Sequence, residues 1–124
     1  NLSMILISHD ISAVRAVCDR VAVMYLGKIV EMGKTYEVFE NPLHPYTQAL
    51  LKSVPYPDPD RPLHKFELVA GEALPAQARG TGCRFSNRCP FKMERCSAEE
   101  PSLMVVSKEH FCACHLYLEV KENG

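Results

Sequence analysis

The chain has 124 residues, 47% of them apolar and 23% charged, enough apolar surface for the core of one small domain or parts of two and an ordinary charge for a soluble protein. Its 14 basic and 15 acidic residues are spread along the chain for a net charge of -1, a distribution that predicts no nucleic-acid partner. The apolar runs fall far short of the ~20 residues of a membrane helix, no charged-then-apolar leader opens the chain, and Asn1 in place of an initiator methionine reads as an excised or processed fragment.

In chain order, Met4–Ile7 is a continuous apolar run, expected as a parallel strand covered on both faces, and it delivers the tripeptide Ser8-His9-Asp10. Asp10 is placed to cap a helix whose Ile11, Val14, Val17 and Cys18 share one face. Val21–Leu26 reads as a strand, Gly27-Lys28 as a type II′ turn and Ile29–Met32 as the returning strand. Thr35 is expected to cap a short helix that runs through Glu40 and stops at Asn41-Pro42. His44-Pro45-Tyr46 opens another helix, to about Ser53, with proline in the first turn where no amide is missed. The proline-rich stretch from Pro55 to Pro62 reads as a semi-rigid linker, Phe66–Ala70 as a short strand, and the remainder as loop and turn around cysteines.

Gly33-Lys34-Thr35 imitates the end of a phosphate-binding loop, but such a loop needs a glycine five residues before the Gly-Lys pair, and Lys28 stands there. It is not a Walker A motif.

Of 6 cysteines, Cys18 stands alone on an apolar helix face and reads as a core residue, while Cys83, Cys89, Cys96, Cys112 and Cys114 crowd the last third. With no leader in view, metal ligands or redox thiols are favoured over disulfides, although thiols freed of a labile centre in air pair readily. The region after residue 62 has few large apolar residues, and such a short segment needs a metal or cross-links to fold. Cys83, Cys89, Cys96 and Cys114 are separated by 5, 6 and 17 residues, a pattern for a thiolate-bound centre, with Cys112 an extra thiol. Zinc ribbons usually pair cysteines two to four residues apart and common ferredoxin motifs differ as well, so spacing alone leaves zinc and iron–sulfur nearly even. His110 and His115 flank the cysteines, where histidines more often hydrogen-bond to neighbours than ligate.

The run from Met4 to Gly33 resembles the end of an ABC-transporter ATPase domain, in which the histidine of Ser-His-Asp, here His9, contacts the γ-phosphate as a switch. Asn41-Pro42-Leu43-His44-Pro45-Tyr46-Thr47-Gln48-Ala49-Leu50-Leu51 resembles the extension that follows this domain in the oligopeptide, dipeptide and nickel importers. The likeness continues through Gly82-Cys83-Arg84-Phe85, Arg88-Cys89-Pro90, Cys96, Glu100-Pro101, His110 and Ala113-Cys114-His115. The resemblance implies an α/β fold class, a C-terminal fragment of a P-loop ABC ATPase domain over residues 1–40 followed over 41–124 by a small, irregular, cysteine-rich, metal-bound extension with a linker at 55–64.

The resemblance also implies a 4Fe-4S cluster held by Cys83, Cys89, Cys96 and Cys114; the residues themselves keep Cys112 as alternative ligand and zinc as alternative metal. Its modest role is a staple for the extension. ATP and magnesium would bind only in the intact subunit, since the Walker A loop, glutamine loop, signature and Walker B carboxylates have no counterparts here, and the fragment alone is expected not to hydrolyse ATP. Implied partners are a second ATP-binding subunit, two membrane permeases and a solute-binding protein, at the cytoplasmic face of the membrane. An inner strand without its sheet neighbours also leads us to expect that the fragment self-associates. The competing reading is a stand-alone cysteine-rich zinc module, which leaves the first 53 residues unexplained.

Overall fold

The computed structural model describes residues 2–54, 75 and 80–122. The linker expected at 55–64 and the strand expected at Phe66–Ala70 lie outside the described residues.

Three helices and a hairpin form the first half. α1 spans Ile11–Val17, and the Asp10 side chain caps it by accepting the Ala13 amide at 3.1 Å. β1 (Arg20–Tyr25) and β2 (Lys28–Lys34) pair antiparallel. Their turn differs from the expected one: Leu26 and Gly27, with φ of 48° and 81°, are its central residues. Positive φ at both positions makes a type I′ turn, whose twist suits a hairpin better, and glycine serves at the second position. A bulge follows, since Val23 faces Glu31 and Met24 faces Ile29. Val30 is therefore the extra residue, and the consecutive side chains of Val30 and Glu31 are both buried.

α2 spans Thr35–Glu40, with Lys34 rather than Thr35 at its N-cap. The Thr35 hydroxyl instead donates to the Cys18 carbonyl at 2.6 Å, fastening the hairpin exit to the end of α1. α3 spans Pro45–Lys52.

The cysteine region is more regular than expected. It contains α4 (Glu94–Ala98), β3 (Met104–Ser107), β4 (His110–Cys112) and α5 (His115–Glu122). β3 and β4 join through Lys108 and Glu109, both at positive φ, a hairpin turn without the glycine or asparagine that would have announced it. β4 pairs antiparallel with β2, so one four-stranded sheet of order β1-β2-β4-β3 runs from the hairpin into the cysteine region.

Met4–Ile7 forms no strand, and Met4, Ile5 and Ile7 are exposed at 88%, 94% and 93%. A two-face-buried strand needs neighbours on both edges, and among the described residues no strand pairs with it.

A single carboxylate ties these pieces together. Glu31 is fully buried and accepts the Leu43 amide at 2.9 Å, the His44 amide at 3.0 Å and the His110 Nε2–H at 2.6 Å. It thereby joins β2, the entry to α3 and β4. Tyr117 of α5 adds a hydroxyl bond to the Leu43 carbonyl at 2.6 Å. His44 is itself the N-cap of α3: its Nδ1 accepts the Tyr46 amide at 3.0 Å. Burial holds the His44 imidazole down at about 4, from an ordinary 6.5, because the charged form loses its hydration. Among the described residues, no helix is long and apolar enough to cross a membrane.

Two outcomes follow for stability. Glu31→Ala strands three buried donors and should cost about 3 kcal/mol or more, with Glu31→Gln intermediate because it keeps one acceptor oxygen; urea denaturation reads both. The folded chain binds fewer protons at His44 than the unfolded chain between pH 4 and 6.5, so stability is full above 6.5 and falls as pH drops through that window toward 4. The loss should reach about 3 kcal/mol, and His44→Asn, which keeps a capping oxygen without the titrating ring, should flatten the dependence.

Candidate functional site: a cysteine cavity on the hairpin

The first loop of the site is made by close backbone approach. The Cys83 amide donates to the Cys96 carbonyl at 2.7 Å, bringing the loop at 82–89 against α4. A Cβ on Gly82 would lie 2.2 Å from the Cys96 carbonyl oxygen and 2.6 Å from the Ser97 carbonyl carbon, so only glycine fits there.

Aromatic packing then sets this loop on the hairpin. Phe85 is 1% exposed and meets the Tyr25 ring edge-on at 5.3 Å, with Tyr46 at 5.6 Å and His44 at 5.8 Å between centroids. Tyr25, Val30 and Phe85 form the buried centre, and Cys83 and Cys89 pack against it. Two arginines fasten the edges. Arg84 donates to the Leu26 carbonyl at the hairpin turn and faces Glu100 at 3.4 Å; Arg88 donates to the Tyr25 hydroxyl at 3.2 Å and stacks near both rings.

Around this centre lies one small cavity walled by Cys83, Cys89, Cys96 and Cys114, with His44, Phe91 and His115 among the other lining residues. The structure thus brings together four thiols from a loop, a turn, α4 and the residue that precedes α5. All are free, as are Cys18 and Cys112. Burial is the main cause that raises the Cys83, Cys89 and Cys114 thiols, the last to about 11, and each neighbour's charge raises them further. Backbone amides oppose this: those of Phe85 and Ser86 favour the Cys83 thiolate, that of Phe91 favours Cys89, and that of Leu116 favours Cys114. The Met93 amide donates to the Cys96 sulfur at 3.4 Å. Each of the four sulfurs therefore has a backbone amide beside it.

Cys112 differs. It is buried on β4 opposite Glu31, outside the cavity wall, and its thiol is raised by burial first and then by the Glu31 charge. Cys112 and Cys114 do not share a strand, because β4 ends at Cys112. Cys18, half-buried, closes α1.

Among the described residues, no three His, Cys, Asp or Glu side chains are drawn closely enough together to hold a metal ion. The region expected as metal-bound thus shows four thiols lining a small cavity and no metal-holding group among the described residues. The two flanking histidines both hydrogen-bond to neighbours, His110 to Glu31 and His115 to the Glu99 carbonyl at 2.7 Å. His9 is not part of this assembly: it is exposed, at a bend just before α1.

Sequence reasoning missed Glu31 and gave His44, Gly82, Arg84 and Arg88 no role beyond their place in the motifs. Glu31 had a legible signal, as the lone charge in Ile29-Val30-Glu31-Met32, but the bulge that turns it inward had none.

Residues 30–96 match the model of the oligopeptide/dipeptide transporter, C-terminal region. The chain is 45% identical over 118 residues to the oligopeptide transport ATP-binding protein AppF of Bacillus subtilis, covering 94% of this chain and 36% of the relative. It is 47% identical over 103 residues to the oligopeptide transport ATP-binding protein OppF of Salmonella typhimurium, covering 82% of this chain and 31% of the relative. The chain thus spans about a third of the length of the curated relatives it matches. With more than half its residues in the matched region and its cysteine loop seated on the hairpin, the chain belongs to the family of the oligopeptide/dipeptide transporter C-terminal region.

Proposed function

We propose that this chain is the C-terminal part of the ATP-binding subunit of an ABC importer of peptides, divided at residue 40 between the end of the ATPase domain and its cysteine-rich extension. The observation that carries the reading is the continuous match across hairpin and extension to ATP-binding proteins of oligopeptide transport. In the intact subunit, peripheral at the cytoplasmic face of the membrane, a second ATP-binding subunit, permeases and a solute-binding protein would be its partners, and ATP with magnesium its ligands. The apolar segment 2–7 would be covered there by the remaining sheet; in the isolated chain its bare side chains favour self-association.

His9 follows that segment, and imidazole at the carboxyl end of a central strand is suited to donate to a phosphate oxygen. Its role as γ-phosphate switch predicts that His9→Ala in the full-length subunit lowers ATP turnover about 100-fold or more while nucleotide binding persists. Unchanged turnover would remove the role.

The extension is read as the seat of a 4Fe-4S cluster on Cys83, Cys89, Cys96 and Cys114. Two features support it: the four cysteines line one cavity, and backbone amides favour their thiolates. Cys114 fits the fourth position better than Cys112, which lies outside the wall. When bound, the cluster supplies cross-linking, and binding energy at such a site becomes folding energy. The chain's own residues do the rest: Gly82 lets the loop close, Phe85 and Tyr25 exclude water, and the amides offset thiolate charge. Anaerobically purified chain should carry iron and sulfide in equal amounts. Cys83→Ser should lose both, and Cys112→Ser should keep both; stoichiometric zinc without iron would sink the assignment.

A further inference from the structure

His115 opens α5, is 1% exposed, and forms part of the wall around the four cysteines. Its Nε2 lies 2.7 Å from the carbonyl oxygen of Glu99. A carbonyl only accepts, so Nε2 donates, and in the tautomer this selects Nδ1 is the nitrogen with the lone pair. That Nδ1 is buried and has no hydrogen-bond partner. An orphaned buried acceptor is costly and calls for an explanation. Ligating histidines have this form: one nitrogen anchored through its N–H to a backbone carbonyl or carboxylate, the other left for the metal.

The other buried histidines are not so arranged. His44 also lines the cavity, but its Nδ1 accepts the Tyr46 amide, so its second nitrogen carries the proton and offers no lone pair. His110 lies outside the wall, with its Nε2 committed to Glu31. His115 is thus the histidine of the cavity with an unpartnered ring nitrogen. It also adjoins Cys114, so the two donors reach the cavity from the same point of the chain.

The geometry points to His115 Nδ1 as an alternative fourth ligand of this site: Cys83, Cys89 and Cys96 supply three thiolates, and the last position is open to the Cys114 sulfur or to the neighbouring imidazole nitrogen. The inference rests on the reading of the cavity as a metal site, and it makes the donor set sulfur-only or mixed sulfur–nitrogen according to which neighbour binds.

The test compares the wild-type chain, Cys114→Ala and Cys114→Ala/His115→Ala after anaerobic reconstitution with iron and sulfide. Cys114→Ala should retain most of the wild-type iron. Its reduced centre should show, in pulsed EPR, an imidazole nitrogen coupling that changes on ¹⁵N-histidine labelling, and the double variant should lose both iron and coupling. Loss of iron from Cys114→Ala to the level of Cys83→Ala overturns the inference, as does retained iron without a histidine coupling. The coupling in the single variant decides whether or not the double variant folds. A wild-type chain that takes up no iron removes the metal-site reading and the ligand with it, an outcome distinct from the other two.

Discussion

The buried carboxylate of Glu31 is the constraint on which the arrangement depends. Burying a charge is tolerated only where hydrogen bonds replace its hydration, and here two backbone amides and an imidazole do so from two other parts of the chain. The result is directional. Apolar packing would hold the entry of α3 and strand β4 near the hairpin, whereas a carboxylate with both oxygens engaged fixes where each must sit. Because His44 and β4 lead directly to the cysteine cavity, this polar centre sets its walls.

The cavity shows how a small region with little apolar surface is organised. Its core is a handful of rings, Tyr25, Tyr46, Phe85 and the buried His44, with thiols packed against them. Domains of this size bury too little to be stable by the hydrophobic effect alone. A cross-link among four cysteines separated by 5, 6 and 17 residues would remove loop-closure entropy from the unfolded chain. The same logic explains the backbone donors around the sulfurs: unfavourable for packing neutral thiols, they become favourable once thiolates are held there.

Much of the local structure was legible from residues. Asp10 announced α1, proline after His44 announced α3, and the glycine of Leu26-Gly27 announced a hairpin, although its position in the turn was read one residue late. The misses share a cause. β3 and β4 turn at Lys108-Glu109 without glycine, and Thr35 gave its hydroxyl to Cys18 instead of a helix end. In each, a long-range pairing outweighed local preference. Met4–Ile7 is the converse: its pattern is that of a buried strand, but a strand exists only where a neighbour supplies hydrogen bonds.

The sequence by itself determined the family, through ordered motifs from Ser8-His9-Asp10 to Ala113-Cys114-His115, because their order and spacing are covalent facts of the chain. Only the tertiary structure decided that Cys83, Cys89, Cys96 and Cys114 line one cavity while Cys112 turns instead toward Glu31, and that His115 keeps a free nitrogen there. The reason is physical. Which side chains meet depends on a bulge at Val30, a sheet pairing between β2 and β4, and the burial of one charge, none of which is encoded by neighbours in sequence.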